Sequence, residues 1–186
     1  MLTLSSFATV HRRKLRFARD QRGVSAVEFA LLAPIMIGLY FGCVEISDAV
    51  SVDRKVSLTA AALANLSSQV TTISSGDMSN IFDASGAIVA PYDVTKMKMT
   101  VTCISIDANK NATVKWSATR NGTVNSGTAN LPTALQVANS QIILAEASYA
   151  YQPTVGYTIT GTLNLADKMY MTPRQASPTY DSKSCT

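Results

Sequence analysis

Val24 to Val44 is an apolar run broken only by Ser25 and Glu28, and a basic segment ends just before it at Arg22-Gly23. At about 1.5 Å rise per residue, a helix over that run is about 30 Å long, the thickness of a bilayer core. A chain carrying such a run must hide it in lipid or against other helices. A carboxylate within it costs roughly 2.5–3.5 kcal/mol on insertion scales, so Glu28 needs a partner.

Charge separates the run from its surroundings. The 186 residues carry a formal net charge of +4. Arg12, Arg13, Lys14, Arg16, Arg19 and Arg22 against Asp20 leave +5 in residues 1–23, and ten Lys and Arg against eleven Asp and Glu leave −1 in the rest. The basic character belongs to the leader, and no basic surface remains to indicate nucleic acid. By the positive-inside rule, 1–23 is a cytoplasmic basic leader, 24–44 a transmembrane helix and 45–186 the part beyond the membrane. A secretory signal peptide is the alternative, but its apolar region is about 7–15 residues and ends at a small-residue cleavage site. Leu39-Tyr40-Phe41-Gly42-Cys43 is a poor lipoprotein site, since Tyr40 is bulky and Cys43 lies inside the run. Pro34 removes one helix hydrogen bond and favours a kink, while Gly38 and Gly42 permit close helix packing.

Beyond the run, Ile46, Ala49, Val52, Val56, Ala60, Leu63, Leu66 and Val70 recur at three- and four-residue spacings. One helix is expected to continue with a single apolar stripe, packed on the chain's own domain or, in part, on a partner helix. Thr71–Ser79 reads as a connection, Asn80–Ala90 as a short helix closed by Pro91, and Lys96–Asp107 as a strand. After a turn at 107–111, Thr113–Thr119 completes a hairpin with Val114, Trp116 and Ala118 on one side. Arg120–Asn130 reads as an exposed loop before a helical turn at Pro132, and Gln141–Tyr151 and Tyr157–Leu165 as two further strands. The fold class expected is α+β: a long amino-terminal helix on an antiparallel sheet of about four strands. Tyr149, Tyr151, Tyr157, Tyr170 and Trp116 suit sheet packing better than a ligand surface, and Arg174 suits a structural pairing.

Arg22-Gly23-Val24-Ser25-Ala26-Val27-Glu28-Phe29 resembles the class III leader of the type IV pilin superfamily, as in the tight-adherence (Flp) pilus system. Glu28 through Pro34, Trp116-Ser117, Glu146 through Pro153 and Tyr170 through Arg174 look like TadE/TadG-like pilus assembly proteins. The resemblance implies a pilin-like periplasmic domain and a prepilin peptidase that cuts between Gly23 and Val24. It further implies that Glu28, with Phe29 beside it, is an assembly contact. Phe29 stands where major pilins of this system usually have tyrosine, which favours the pseudopilin branch. The implied partners are other pilins or pseudopilins, the inner-membrane pilus assembly platform, prepilin peptidase and membrane lipid, with no nucleic acid. The implied location is the bacterial inner membrane, single-pass, with the amino terminus cytoplasmic.

Cys103 and Cys185 fall on the outer side, where an oxidising periplasm permits a disulfide between them, two separate thiols or an intermolecular bridge. Cys43 falls in the apolar run. His11, the only histidine, lies in the leader, and no triad, zinc spacing or phosphate-binding loop is present. No catalytic, cofactor-binding or metal residue is therefore expected. A noncatalytic pilus assembly protein or minor pseudopilin leads, ahead of an uncleaved signal-anchored periplasmic binding or adhesion module. A membrane-anchored hydrolase without a recognisable motif ranks last.

Overall fold

A computed structural model describes residues 22–153, 161–175 and 177–186. These divide into two compact units between Val44 and Glu45. Helix α1, Arg22–Ser68, supplies the first unit and the leading element of the second, and it continues through Pro34. In the second unit Glu45, Ala49, Val52, Val56, Ala60 and Leu63 are buried. Their spacings of three and four keep them on one face at 3.6 residues per turn. Ile46 and Val70, expected in this stripe, are exposed. Ile46 is one position past Glu45 and so at the stripe's edge, and Val70 lies beyond the last turn.

Strand β1, Thr72–Ile73, and helix α2, Ser75–Gly86, follow directly. The helix starts earlier than Asn80 because Ser74 and Asp77 form a capping box. Ser74 Oγ accepts from Asp77 N at 3.1 Å, and Asp77 Oδ2 accepts from Ser74 N at 3.1 Å. Its inward residues Met78, Ile81 and Phe82 join the core.

The main sheet comprises β2 (Met97–Ile106), β3 (Ala112–Arg120), β4 (Ser140–Tyr151) and β5 (Leu163–Met171). Its order is β3-β2-β4-β5, antiparallel throughout. The β2–β3 turn is held by Asp107, whose carboxylate accepts from Asn111 N at 2.8 Å and Asn111 Nδ2 at 2.9 Å. Met97, Met99, Val101 and Cys103 form the inner face and pack with the α1 stripe. The alternate residues Ile104 and Ile106 belong to a second cluster with Ile142, Leu144 and Leu131. Register shifts between Cys103 and Ile104, where Trp116 and Val114 are the successive partners, so Lys115 is the extra residue of a bulge. The expected common side for Val114, Trp116 and Ala118 is thereby corrected. The bulge sends Val114 to the second cluster and leaves Trp116 and Ala118 in the first.

The last strand is also displaced from expectation. It runs over Leu163–Met171 rather than Tyr157–Leu165, whose residues 157–160 lie outside those described. Pairing of Leu165 with Tyr149 and Lys168 with Glu146 sets its register. At the end of the chain β6, Thr179–Tyr180, lies parallel to β1 and antiparallel to β7, Lys183–Ser184. The two-residue turn between them has positive φ at Asp181 (47°) and Ser182 (67°), the pattern of a type I′ hairpin.

Candidate functional site

In the first unit, Gly23 and Val24 sit in the first described turn of α1. A Cβ built on Gly23 would meet nothing within 4 Å. Glu28 and Phe29 follow one turn later and both are exposed, Phe29 at 67%. Glu28 is the only Asp, Glu, Lys, Arg or His between Val24 and Val44. Around it Val27, Leu31, Leu32, Ile35 and Leu39 are at least half exposed. The helix reaches a mean hydropathy of 2.0 in its most apolar stretch and is long and apolar enough to cross a membrane. Unlike an ordinary core helix, this stretch is left almost wholly uncovered among the described residues.

In the second unit α1 is fixed on its inner side. Lys55 Nζ donates to Ile88 O at 3.1 Å and Ala90 O at 2.7 Å, tying the helix to the 3-10 turn Ala87–Val89. Thr59 Oγ1 donates to Lys55 O at 2.8 Å and Ser85 O at 3.4 Å. Away from the buried stripe the helix exposes Val50 and Leu58. At the helix end, Arg174 N donates to Ser68 O at 2.9 Å and Arg174 Nη2 to Asn65 Oδ1 at 2.9 Å. Arg174 thus meets one of the terminal carbonyls that the helix itself cannot satisfy.

The tail is held from three sides. Cys103 and Cys185 are joined by a disulfide, Cα to Cα 5.9 Å, and both are fully buried. Trp116 Nε1 donates to Pro178 O at 3.1 Å, and its ring lies 5.5 Å from that of Tyr180. Thr179 N donates to Thr71 O at 2.8 Å. Cys43 is exposed and outside any disulfide. Tyr149, Tyr151 and Trp116 are core residues and Tyr170 packs on the second cluster, while Tyr157 lies outside the described residues.

Sequence reasoning passed over a polar row on the outer sheet face. Thr119, Thr100, Glu146 and Lys168 stand side by side across β3, β2, β4 and β5. Glu146 Oε1 is 2.6 Å from Lys168 Nζ, and Glu146 Oε2 accepts from Asn125 Nδ2 at 2.6 Å. Hydrogen bonding to Glu146 raises the Lys168 pKa against the smaller opposing effect of burial. The signal available was the period-2 placement of Lys98, Thr100 and Thr102 opposite Met97, Met99 and Val101. On the inner face, burial raises the Tyr149 and Tyr151 pKa values. Hydrogen bonds from Ser74, Thr95 and Asn111 lower those of Asp77, Asp93 and Asp107 respectively.

Among the described residues, no three His, Cys, Asp or Glu side chains gather where a metal ion could be held. The family model described as TadE-like protein matches residues 23–64, which covers the exposed apolar helix and its continuation along the domain. No curated protein and no solved structure matches the chain.

Proposed function

We propose that this chain is a noncatalytic assembly protein or minor pseudopilin of the tight-adherence (Flp) pilus system. Residues 24–44 span the bacterial inner membrane, 1–23 remain cytoplasmic, and 45–186 form the periplasmic domain. The observation that carries this reading is Glu28, a lone carboxylate in an exposed apolar helix, inside the segment that is TadE-like. Prepilin peptidase cuts after Gly23, and Val24 becomes the first residue with an α-ammonium near the cytoplasmic interface.

Assembly then follows from electrostatics. An α-amino group has a pKa of about 7.7–8.0 and is charged at neutral pH. Bringing Val24 of one subunit beside Glu28 of another pairs two charges that are each costly in lipid. The apolar side chains around Glu28 supply packing surface, and helix contact in the membrane depends on such packing and on polar pairing. The partners are pilins or pseudopilins and the assembly platform. The periplasmic domain acts as a rigid head that the helix carries.

Replacing Glu28 by Gln or Ala separates assembly from insertion. The expected result is a variant that fractionates with the membrane as the unmodified chain does but no longer co-purifies with pilus components, with pilus formation lost. Unchanged pilus formation with either variant would remove the pairing role.

A further inference from the structure

The two edges of the main sheet are finished differently. At the β3 edge the chain covers itself: Val114 N donates to Gly127 O and Ala129 N to Ala112 O, each at 2.9 Å, around a bridge between Thr113 and Thr128. At the other edge β5 pairs with β4 on one side and, among the described residues, with no strand on the other. Alternate residues of an antiparallel strand turn their N–H and C=O groups to opposite sides. The outward groups of Ala112 and Val114 fix that alternation through the registers of all four strands, so Asn164, Ala166, Lys168 and Tyr170 turn theirs to the open edge. One of these groups is already taken, since Lys168 N donates to Asp167 Oδ1 at 2.8 Å.

An open edge is a template on which a second copy can add its own β5. The strand has 9 residues, and Asp167 is the central one. The two-fold antiparallel register that uses the whole strand therefore sets Asp167 against Asp167. Everything else in that register is favourable. Leu165 meets Met169 and Leu163 meets Met171 on the face shared with the core, and the outward groups of Ala166 and Lys168 are matched for hydrogen bonding, as are those of Asn164 and Tyr170. Leu165, Met169 and Met171 are half-buried, so such pairing would cover more of their apolar surface. The centre alone opposes it. Two carboxylates would face each other at a position that carries no ladder hydrogen bond, where opposed side chains lie closest, and each would have to leave Lys168 N.

We propose that Asp167 guards this edge, keeping two copies of the domain from joining β5 to β5 into one continuous sheet. Its carboxylate acts twice. It opposes its own copy at the centre of the register, and it occupies the N–H that a partner strand would need there. An inward-facing charge on an edge strand is one of the ways a sheet prevents such addition. The inference is independent of how the leader is processed and of what the amino-terminal helix contacts.

The test uses the full chain in detergent micelles, with Cys43→Ser to prevent an intermolecular disulfide, and reads amide exchange at Ala166 and Tyr170 by NMR as protein concentration rises. Association through the amino-terminal helix leaves these two amides open, so the readout belongs to the edge. In the parent they are expected to exchange freely at every concentration. Asp167→Val should slow them at least about tenfold as concentration rises. Adding Ala166→Pro, which removes one outward donor and is tolerated on an edge strand, should abolish that protection. Asp167→Lys keeps like charges opposed and should behave as the parent. Asp167→Thr repeats the test if valine lowers the thermal midpoint. The inference is overturned if the neutral variants protect the edge no more than the parent does, if the parent's own edge amides become protected with concentration, or if Asp167→Lys associates as the valine variant does.

Discussion

Trp116 is 3% exposed, and its indole N–H reaches Pro178 O across 62 residues of chain. Phenylalanine would keep an aromatic ring there but fill less of the space beside Tyr180 and leave that carbonyl without its donor. Trp116→Phe is expected to cost about 1–3 kcal/mol in urea unfolding of the domain, the usual penalty for a buried polar group left unpaired. A loss well below that would mean the tail finds another donor. The titratable groups set a pH window. Asp77, Asp93 and Asp107 have pKa values held below the ordinary 3.8 by hydrogen bonds that favour the ionised form. Their contribution is therefore present above pH 3.8 and lost as pH falls through the lowered values. Tyr149 and Tyr151 are raised above 10.0 by burial, and Lys168 above 10.5 by Glu146. Stability tied to them is complete below those ordinary values and lost as pH rises through the raised ones. Thermal scans should show a plateau at intermediate pH with declines on both sides, and a midpoint that climbs above pH 10 would contradict the tyrosine and lysine assignments.

Helix α1 and the carboxyl-terminal tail make the element-scale case. Leu63 is fully buried and Leu58 is 59% exposed on the same helix. Leu63→Ala should cost about 2–5 kcal/mol, whereas Leu58→Ala should stay within about 0.5 kcal/mol. Equal effects would mean that the helix presents a different face to the sheet. The disulfide spans 82 residues, and Cys185→Ser should remove about 2–4 kcal/mol by freeing the unfolded chain. The helix was legible from its period of 3.6 and β2 from the alternation of Met97–Cys103, whereas in β3 the alternation marked the strand but not the bulge at Lys115, and β4 showed as a long run rich in apolar residues. Strand β5 was not legible, because Asp167-Lys168 interrupts its apolar pattern. An edge strand tolerates that pair, and Lys168 is matched across the sheet by Glu146. Two-residue strands such as β1 and β6 carry no period, and tertiary pairing alone reveals them. Glu45 was missed in the stripe because apolar spacing does not register a carboxylate. The polar row on the outer sheet face was missed because it joins residues from four strands.

At the scale of the whole molecule, one helix links two units of different chemistry. The first exposes apolar side chains along its length around a single carboxylate. The second is a stapled α+β domain with its own core and a polar row on its outer sheet face. The TadE-like segment spans the link between them, from Gly23 into the helix turns that pack on the sheet. Exposed apolar surface of this extent is not sustained in water and marks contact with lipid or protein. The proposed leader cut would turn the first unit from a membrane anchor into an assembly-competent helix with a charged amino terminus. Intact-mass analysis of the protein purified with pilus components from its native host tests that most directly. The expected chain begins at Val24, and a chain in that material still carrying the basic leader 1–23 would contradict it.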